Sequence, residues 1–213
     1  MYKELDMDKW NRKQHFLFFK DFEEPFFGCT ANVDVSKAYT ECKEYGISFF
    51  VYYLFCATKA ANGIEPFRYR IREDKVIVHD SISASPTINR PDGTFGFSYI
   101  DHNSSLKKFR KKAEKEIEKV RGEDTLIPSA DMDNTIHFSA LPWIKFTSLS
   151  HARSFAFKES IPKISFGKVF EENGKRMMPV SVHVHHALMD AYDLGRFLEY
   201  FQQLLDTDIK LHD

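Results

Sequence analysis

The chain has 213 residues, 30 Lys and Arg against 31 Asp and Glu, and a formal net charge of -1 with histidine neutral. That length favours one domain over residues 1–213, and the balanced charge gives no footing for nucleic acid or a membrane surface. Cys29, Cys42 and Cys56 form no metal-type pair, and the opening Met-Tyr-Lys-Glu-Leu-Asp has no apolar signal core, so a reducing, cytoplasmic setting is expected.

Residues 15–20, an aromatic run, read as a strand, followed by a turn at Glu23-Glu24-Pro25. Residues 29–35 read as a second strand. Ser36 opens a short helix ending near Gly46, and Ser48 caps a largely buried helix that Asn62-Gly63 stops. The apolar stretch 47–61 includes Lys59 and is too short for a membrane span. Residues 68–72 and 75–79 suggest a hairpin around Glu73-Asp74, and residues 95–100 a strand. Over residues 104–121, Leu106, Phe109, Ala113, Ile117 and Val120 recur every three or four positions, which predicts an amphipathic helix. Lys and Glu fill its other faces as a solvated surface.

Residues 135–140 and 143–149 read as strands broken by Pro142. Residues 163–170 and 175–185 read as a long hairpin, because Asn173 and Gly174 both tolerate the positive φ of a tight turn. Pro179 would remove one ladder donor, so an edge or an irregularity is expected there. Residues 192–205 form the last helix, with Leu194, Phe197, Leu198, Phe201 and Leu204 on one side. Together these elements predict an α+β fold, a mixed β-sheet with helices packed on one face.

The most informative segment is His183-Val184-His185-His186-Ala187-Leu188-Met189-Asp190, at the end of the last strand. Strand alternation puts Ser181, His183 and His185 on one face and Val180, Val182, Val184 and, if the strand runs on, His186 on the other. His185 and His186 therefore serve different surroundings. Three readings follow. The pair is an ordinary hydrogen-bonded one at a sheet edge; or His183 and His185 hold a metal with a carboxylate; or His186 is a general base near neutral pH. No further cysteine, histidine or acid stands at recognised ligand spacing, so no metal is expected. Asp190 is too far along the turn to act as a relay, and pairing with an arginine would let it fix the loop.

This segment resembles the His-His-x-x-x-Asp-Gly mark of the chloramphenicol acetyltransferase family. The likeness extends through Met178-Pro179-Val180-Ser181-Val182-His183-Val184-His185-His186-Ala187. Further blocks stand in the family's order: Trp10-Asn11-Arg12-Lys13-Gln14-His15-Phe16, Phe67-Arg68-Tyr69-Arg70-Ile71, the strand through Val76-Ile77-Val78-His79-Asp80-Ser81, and Ser139-Ala140-Leu141-Pro142-Trp143-Ile144-Lys145-Phe146-Thr147-Ser148. The resemblance implies a CoA-dependent acyltransferase fold, a homotrimer with active sites at subunit interfaces, and acetyl-CoA entering from the side opposite a small-molecule acceptor. It implies acetyl transfer to a hydroxyl of chloramphenicol without an acyl-enzyme, an activity associated with antibiotic resistance. His186 matches the catalytic histidine, and Ser148 the serine that donates to the oxyanion. Asp190 and Arg12 match a structural ion pair. Ser165 stands where a threonine often holds a water near the intermediate.

Several positions depart from the family pattern. Ala191 follows the motif aspartate where glycine is usual, which implies about 1 kcal/mol of strain if that residue needs positive φ. In the acceptor pocket, with Phe27, Phe19 replaces a tyrosine, and Glu23 and Pro25 replace more apolar or smaller residues. His183 replaces a glutamine. These changes leave the chemistry in place and point to two alternatives: the same transfer to another small hydroxyl or amine compound, or a non-catalytic trimer that binds a hydrophobic ligand.

Overall fold

The computed structural model describes residues 1–126, 132–154 and 158–210. The chain runs through β1 (Tyr2–Glu4), α1 (Lys13–Phe19), β2 (Phe26–Asp34), α2 (Ser36–Glu44), α3 (Phe49–Gly63), β3 (Tyr69–Arg72) and β4 (Lys75–His79). It continues through β5 (Ser83–Asn89), β6 (Phe95–Phe97), α4 (Leu106–Arg121), β7 (Thr135–Leu141), β8 (Lys163–Gly167), β9 (Phe170–Glu172), β10 (Lys175–His185) and α5 (Ala191–Leu205). The main sheet has the order β2-β10-β8-β7-β5-β6, with β9 also beside β10. β7 runs parallel to both β5 and β8, and the other pairs are antiparallel, so the sheet is mixed. A small antiparallel sheet, β1-β4-β3, packs with α1 around Phe16, Tyr69, Val76 and Val78.

Alternation along the central strands decides where the core lies. Val180, Val182, Val184, Ile164, Phe166, Ile136 and Phe138 are at most 2% exposed and join α3 and α5 residues in one apolar cluster. The helices therefore lie on one face of the sheet. The opposite face carries polar rows in register across the strands: Ser139, Ser165, Ser181 and Thr30 in one, His137, Lys163, His183 and Gly28 in the next. Side chains at successive positions on these strands thus divide between an oily layer and an ionisable one.

The cap signals act as their chemistry requires. Ser48 accepts from the Val51 N–H and Ser105 from the Lys108 N–H, satisfying helix-start donors. Glu73-Asp74 and Asn173-Gly174 take positive φ in the two tight hairpin turns.

Four expectations need correction. Residues 15–20 lie in a helix and its end, not a strand: Phe16 is buried and Phe19 half-buried one turn later, while Leu17 and Phe18 face outward. A short aromatic run satisfies either period, and the three-residue spacing of the inward rings decides here. Residues 143–149 form no strand. After Leu141 the chain leaves the sheet and folds back, with Lys168 N–H donating to Ile144 O at 2.9 Å. Gly167 permits that approach, since a Cβ there would stand 2.9 Å from the Phe146 ring and 3.0 Å from Ile144 O. The strand expected over 163–170 is two strands, β8 and β9, because the chain breaks pairing at Lys168 and Val169. Pro179 sits opposite that break in a central strand, where its missing donor meets the irregularity expected of it: β10 pairs with β9 up to Met177 and with β8 from Val180. The strand expected over 95–100 is β6 alone, with Ile100 making an isolated bridge to Ala84.

Candidate active site

β10 ends at His185, and the next three residues turn toward α5. The turn takes His186 off the strand and places its ring between two aromatics. Phe19 of α1 stacks on it at 4.1 Å and 26°, and Phe27 of β2 meets it at 4.4 Å and 45°. The His186 N–H donates to Pro25 O at 2.8 Å, fixing the backbone to the start of β2. Its ring Nδ1 lies 3.3 Å from Met189 O. A carbonyl only accepts, so this contact places the proton on Nδ1 and leaves the Nε2 lone pair free. Rotation and tautomer are thus both constrained, which is what a base needs.

The turn is held from beneath. Arg12, at the start of α1, donates from Nη1 to the Asp190 carboxylate at 2.5 Å and from Nη2 to His186 O at 3.1 Å. One guanidinium therefore ties both ends of the turn. Asp190 also caps α5, accepting from the Tyr192 N–H at 3.0 Å, and Asp193 completes a capping box. Burial works against its charge, but the Arg12 hydrogen bond and the Tyr192 N–H outweigh it and hold the carboxyl below the usual range. Ala191 is the first residue of α5 and has no positive φ. The strain expected at that position is absent, because the turn is closed by the cap rather than by a left-handed residue.

His185 has opposite surroundings. It is 4% exposed, edge-on to Phe26, and its Nδ1 accepts from the Ala187 N–H. Burial, then Arg153 and His186, push its pKa down to about 4. Around it on the same face stand His183, Lys163, Glu159 and Arg153, with Lys163 donating to Glu159 at 2.7 Å and Arg153 bound to Glu24. Sequence reasoning missed this ionic group. Its signal is the alternation of Lys163 and Ser165 with Ile164 and Phe166, read against Ser181 and His183 on the neighbouring strand. Among the described residues no group of three metal-type side chains forms.

Ser165 is fully buried in β8, between Ser139 and Ser181, and its hydroxyl has no partner among the described residues. Ser148 is exposed on the loop after β7. Glu23 is exposed and lines a cavity of about 580 Å³ together with Phe22, Glu24, Arg153, Lys158 and His185. A second cavity, about 520 Å³, lies against α3 and α4, where Phe49, Phe50, Tyr53, Ile117, Gly167 and Val169 give it a largely apolar wall. No described helix is long and apolar enough to cross a membrane.

The family model for chloramphenicol acetyltransferase matches residues 1–202. A chloramphenicol acetyltransferase from Proteus mirabilis is 25% identical over 207 residues, covering 97% of this chain and 95% of that one. A solved chloramphenicol acetyltransferase superposes with a TM-score of 0.84 at 28% identity, over 96% of this chain and all of the other. A probable dihydrolipoamide acetyltransferase from Listeria monocytogenes shares the fold, with a TM-score of 0.67 at 16% identity over 91% of this chain and 88% of its own. With a family model over residues 1–202 and a solved member superposing along nearly the whole chain, this protein belongs to the chloramphenicol acetyltransferase family of acyltransferase enzymes.

Proposed function

We propose that this protein moves an acetyl group from acetyl-CoA to a hydroxyl of chloramphenicol, with His186 as general base. The observation that carries this reading is the Nδ1 contact to Met189 O, which leaves Nε2 as the acceptor of a ring clamped by Phe19 and Phe27. Nε2 takes the hydroxyl proton as the oxygen attacks the thioester carbonyl. The C–O bond forms, the tetrahedral intermediate collapses, the C–S bond breaks, and the CoA sulfur leaves with the proton returned by the imidazolium. No acyl-enzyme is needed.

Ser148 donates to the oxyanion of that intermediate, a contribution of about 3–4 kcal/mol. Its exposure fits a homotrimer in which the neighbouring subunit supplies it. Arg12 and Asp190 support the turn, and the unsatisfied Ser165 hydroxyl suits a water near the intermediate. Phe19, Glu23 and Phe27 belong to the acceptor pocket. The apolar cavity along α3 and α4 suits the pantetheine arm of the donor, with Ser48 and Arg121 as polar groups in its wall. The whole of residues 1–213 acts as one domain in the cytoplasm, with no metal.

One observation favours a second acceptor class. Glu23 puts a carboxylate on the wall of the cavity beside His185, and Phe19 offers no hydroxyl. A more polar acceptor would suit that wall. The test is CoA thiol release from acetyl-CoA by wild type and His186→Ala, with and without chloramphenicol. Chloramphenicol-dependent release that the variant loses is the expected result. Release that His186→Ala leaves intact would overturn the assignment of the base, and acetyl-CoA binding without release would move the acceptor to the polar class.

A further inference from the structure

We propose that His183 is a positioning residue that holds the Ser148 loop against the sheet and so sets the oxyanion donor. The inference rests on the reading of Ser148 given above. His183 projects from β10 on the polar face, and its ring lies flat across β2 because residue 28 is glycine. A Cβ at Gly28 would stand 2.5–2.7 Å from three atoms of that ring, so no other residue leaves the imidazole where it is. On its other side the ring meets the loop that carries Ser148. His151 packs edge-on against it, at 4.9 Å between centroids and 87° between planes. The carbonyl of Leu149, the residue after Ser148, faces the imidazole and favours a proton on it.

The remaining ring nitrogen turns inward. His183 Nδ1 is 3.4 Å from Ser181 Oγ, and Ser181 pairs in register with Ser165. One imidazole thus bridges the backbone beside Ser148 and the hydroxyl row that contains Ser165. With the proton on Nε2 toward Leu149 O, Nδ1 accepts from Ser181, which satisfies both contacts in the neutral ring. Burial, opposed by the Leu149 carbonyl and reinforced by Lys163, lowers the His183 pKa and so favours that neutral form. His183 touches no reacting atom in this scheme. It acts through the placement of Ser148, and small misplacements of such a donor are costly.

The role separates from a merely structural one by kinetics. His183→Ala is expected to lower kcat between about 10- and 100-fold, with KM for the acceptor unchanged, since only the transition state loses a contact. His183→Gln, whose amide can donate to Leu149 O and accept from Ser181, is expected to restore most of the rate. In a Ser148→Ala background His183→Ala should cost nothing further, because the donor it places is gone. Gly28→Ala keeps the histidine but displaces its ring, and should reproduce the kcat loss if His183→Ala folds poorly. Wild-type kcat in His183→Ala or Gly28→Ala, no rescue by His183→Gln, or losses that add fully with Ser148→Ala would each overturn the inference. Wild-type kcat in Ser148→Ala alone would overturn the oxyanion assignment and this inference with it, whereas a rate loss in Ser148→Ala beside a normal His183→Ala would overturn this inference alone.

Discussion

His185 ends β10 at 4% exposure, with its ring against Phe26 and its Nδ1 held by a backbone N–H. His186, one residue on, is half-buried between Phe19 and Phe27, with Nδ1 against a carbonyl. The two imidazoles differ because the strand stops between them. Had β10 run one residue further, His186 would have joined Val180, Val182 and Val184 under the helices, where a base has no access to an acceptor. The turn instead brings it beside α1 and β2. The contrast in ring contacts matters as much: a backbone N–H occupies the lone pair of His185 Nδ1, while a carbonyl occupies the proton of His186 Nδ1. Of the two, only His186 has its hydrogen bond arranged to leave Nε2 as the acceptor.

The largest effect expected from breaking this comparison is on the rate. His186→Ala should lower turnover by about 10²–10⁴-fold, the usual worth of a positioned base, with the fold retained. His185→Ala should do the reverse, costing about 1–3 kcal/mol of stability through a lost buried contact while the residual folded enzyme turns over. Steady-state kinetics and urea denaturation of both variants check the pair. Equal rate losses would mean that the division of labour between the two histidines is wrong.

Next comes the response to acid. His185, His137 and His151 all have pKa values pushed down to about 4, in each case mainly by burial, with Lys163, Arg153 or another histidine adding to it. An unfolded histidine titrates near 6.5. Between those values the unfolded chain binds protons that the folded chain refuses. Stability is therefore full above about pH 6.5 and falls as pH drops toward 4, by on the order of 1–3 kcal/mol for each such group. Urea midpoints at pH 7 and pH 5 test this, and His185→Phe should flatten the slope. Unchanged midpoints would show that the polar face of the sheet is not held in the neutral form.

Arg12→Ala should follow in size. It leaves the Asp190 carboxylate and the His186 carbonyl without their shared donor, and the expected loss is about 2 kcal/mol, as for a hydrogen bond to a charged group. Asp190 is 38% exposed, so water recovers part of a larger penalty. Turnover should fall as well, because the turn carries His186. A variant that loses stability but keeps its rate would show that Arg12 supports α5 and not the histidine.

Much of the frame was legible because local chemistry and global packing agree in it. Helices α4 and α5 announce themselves through spacing, Ser48 through its cap, and the second hairpin turn through Asn173-Gly174. Other parts carry no such signal. β5 reads Ser-Ala-Ser-Pro-Thr-Ile-Asn, small and polar, and is a strand because β7 pairs with it in parallel; nothing in its own pattern says so. α1 was ambiguous because a run of aromatics suits either period. Of the site, the family resemblance named His186, Ser148, Asp190, Arg12 and Ser165. The Met189 carbonyl and the Gly28 gap beneath His183 are backbone features, which no side-chain pattern reveals.

The smallest expected effect concerns Ala191. Glycine at this place in the family pattern invites the view that alanine strains the turn. The structure removes the reason, since the only non-glycine residues with positive φ among those described are Glu73, Asp74 and Asn173. Ala191 is already helical, and its neighbour Asp190 supplies the cap. Ala191→Gly should therefore relieve nothing and free the unfolded backbone, lowering stability by about 0.5–1 kcal/mol with turnover unchanged. Thermal unfolding beside a rate assay reads both at once. A gain in either quantity would mean that the turn after Asp190 needs backbone freedom during the reaction, and that the clasp around His186 is less fixed than the Arg12 and Met189 contacts make it.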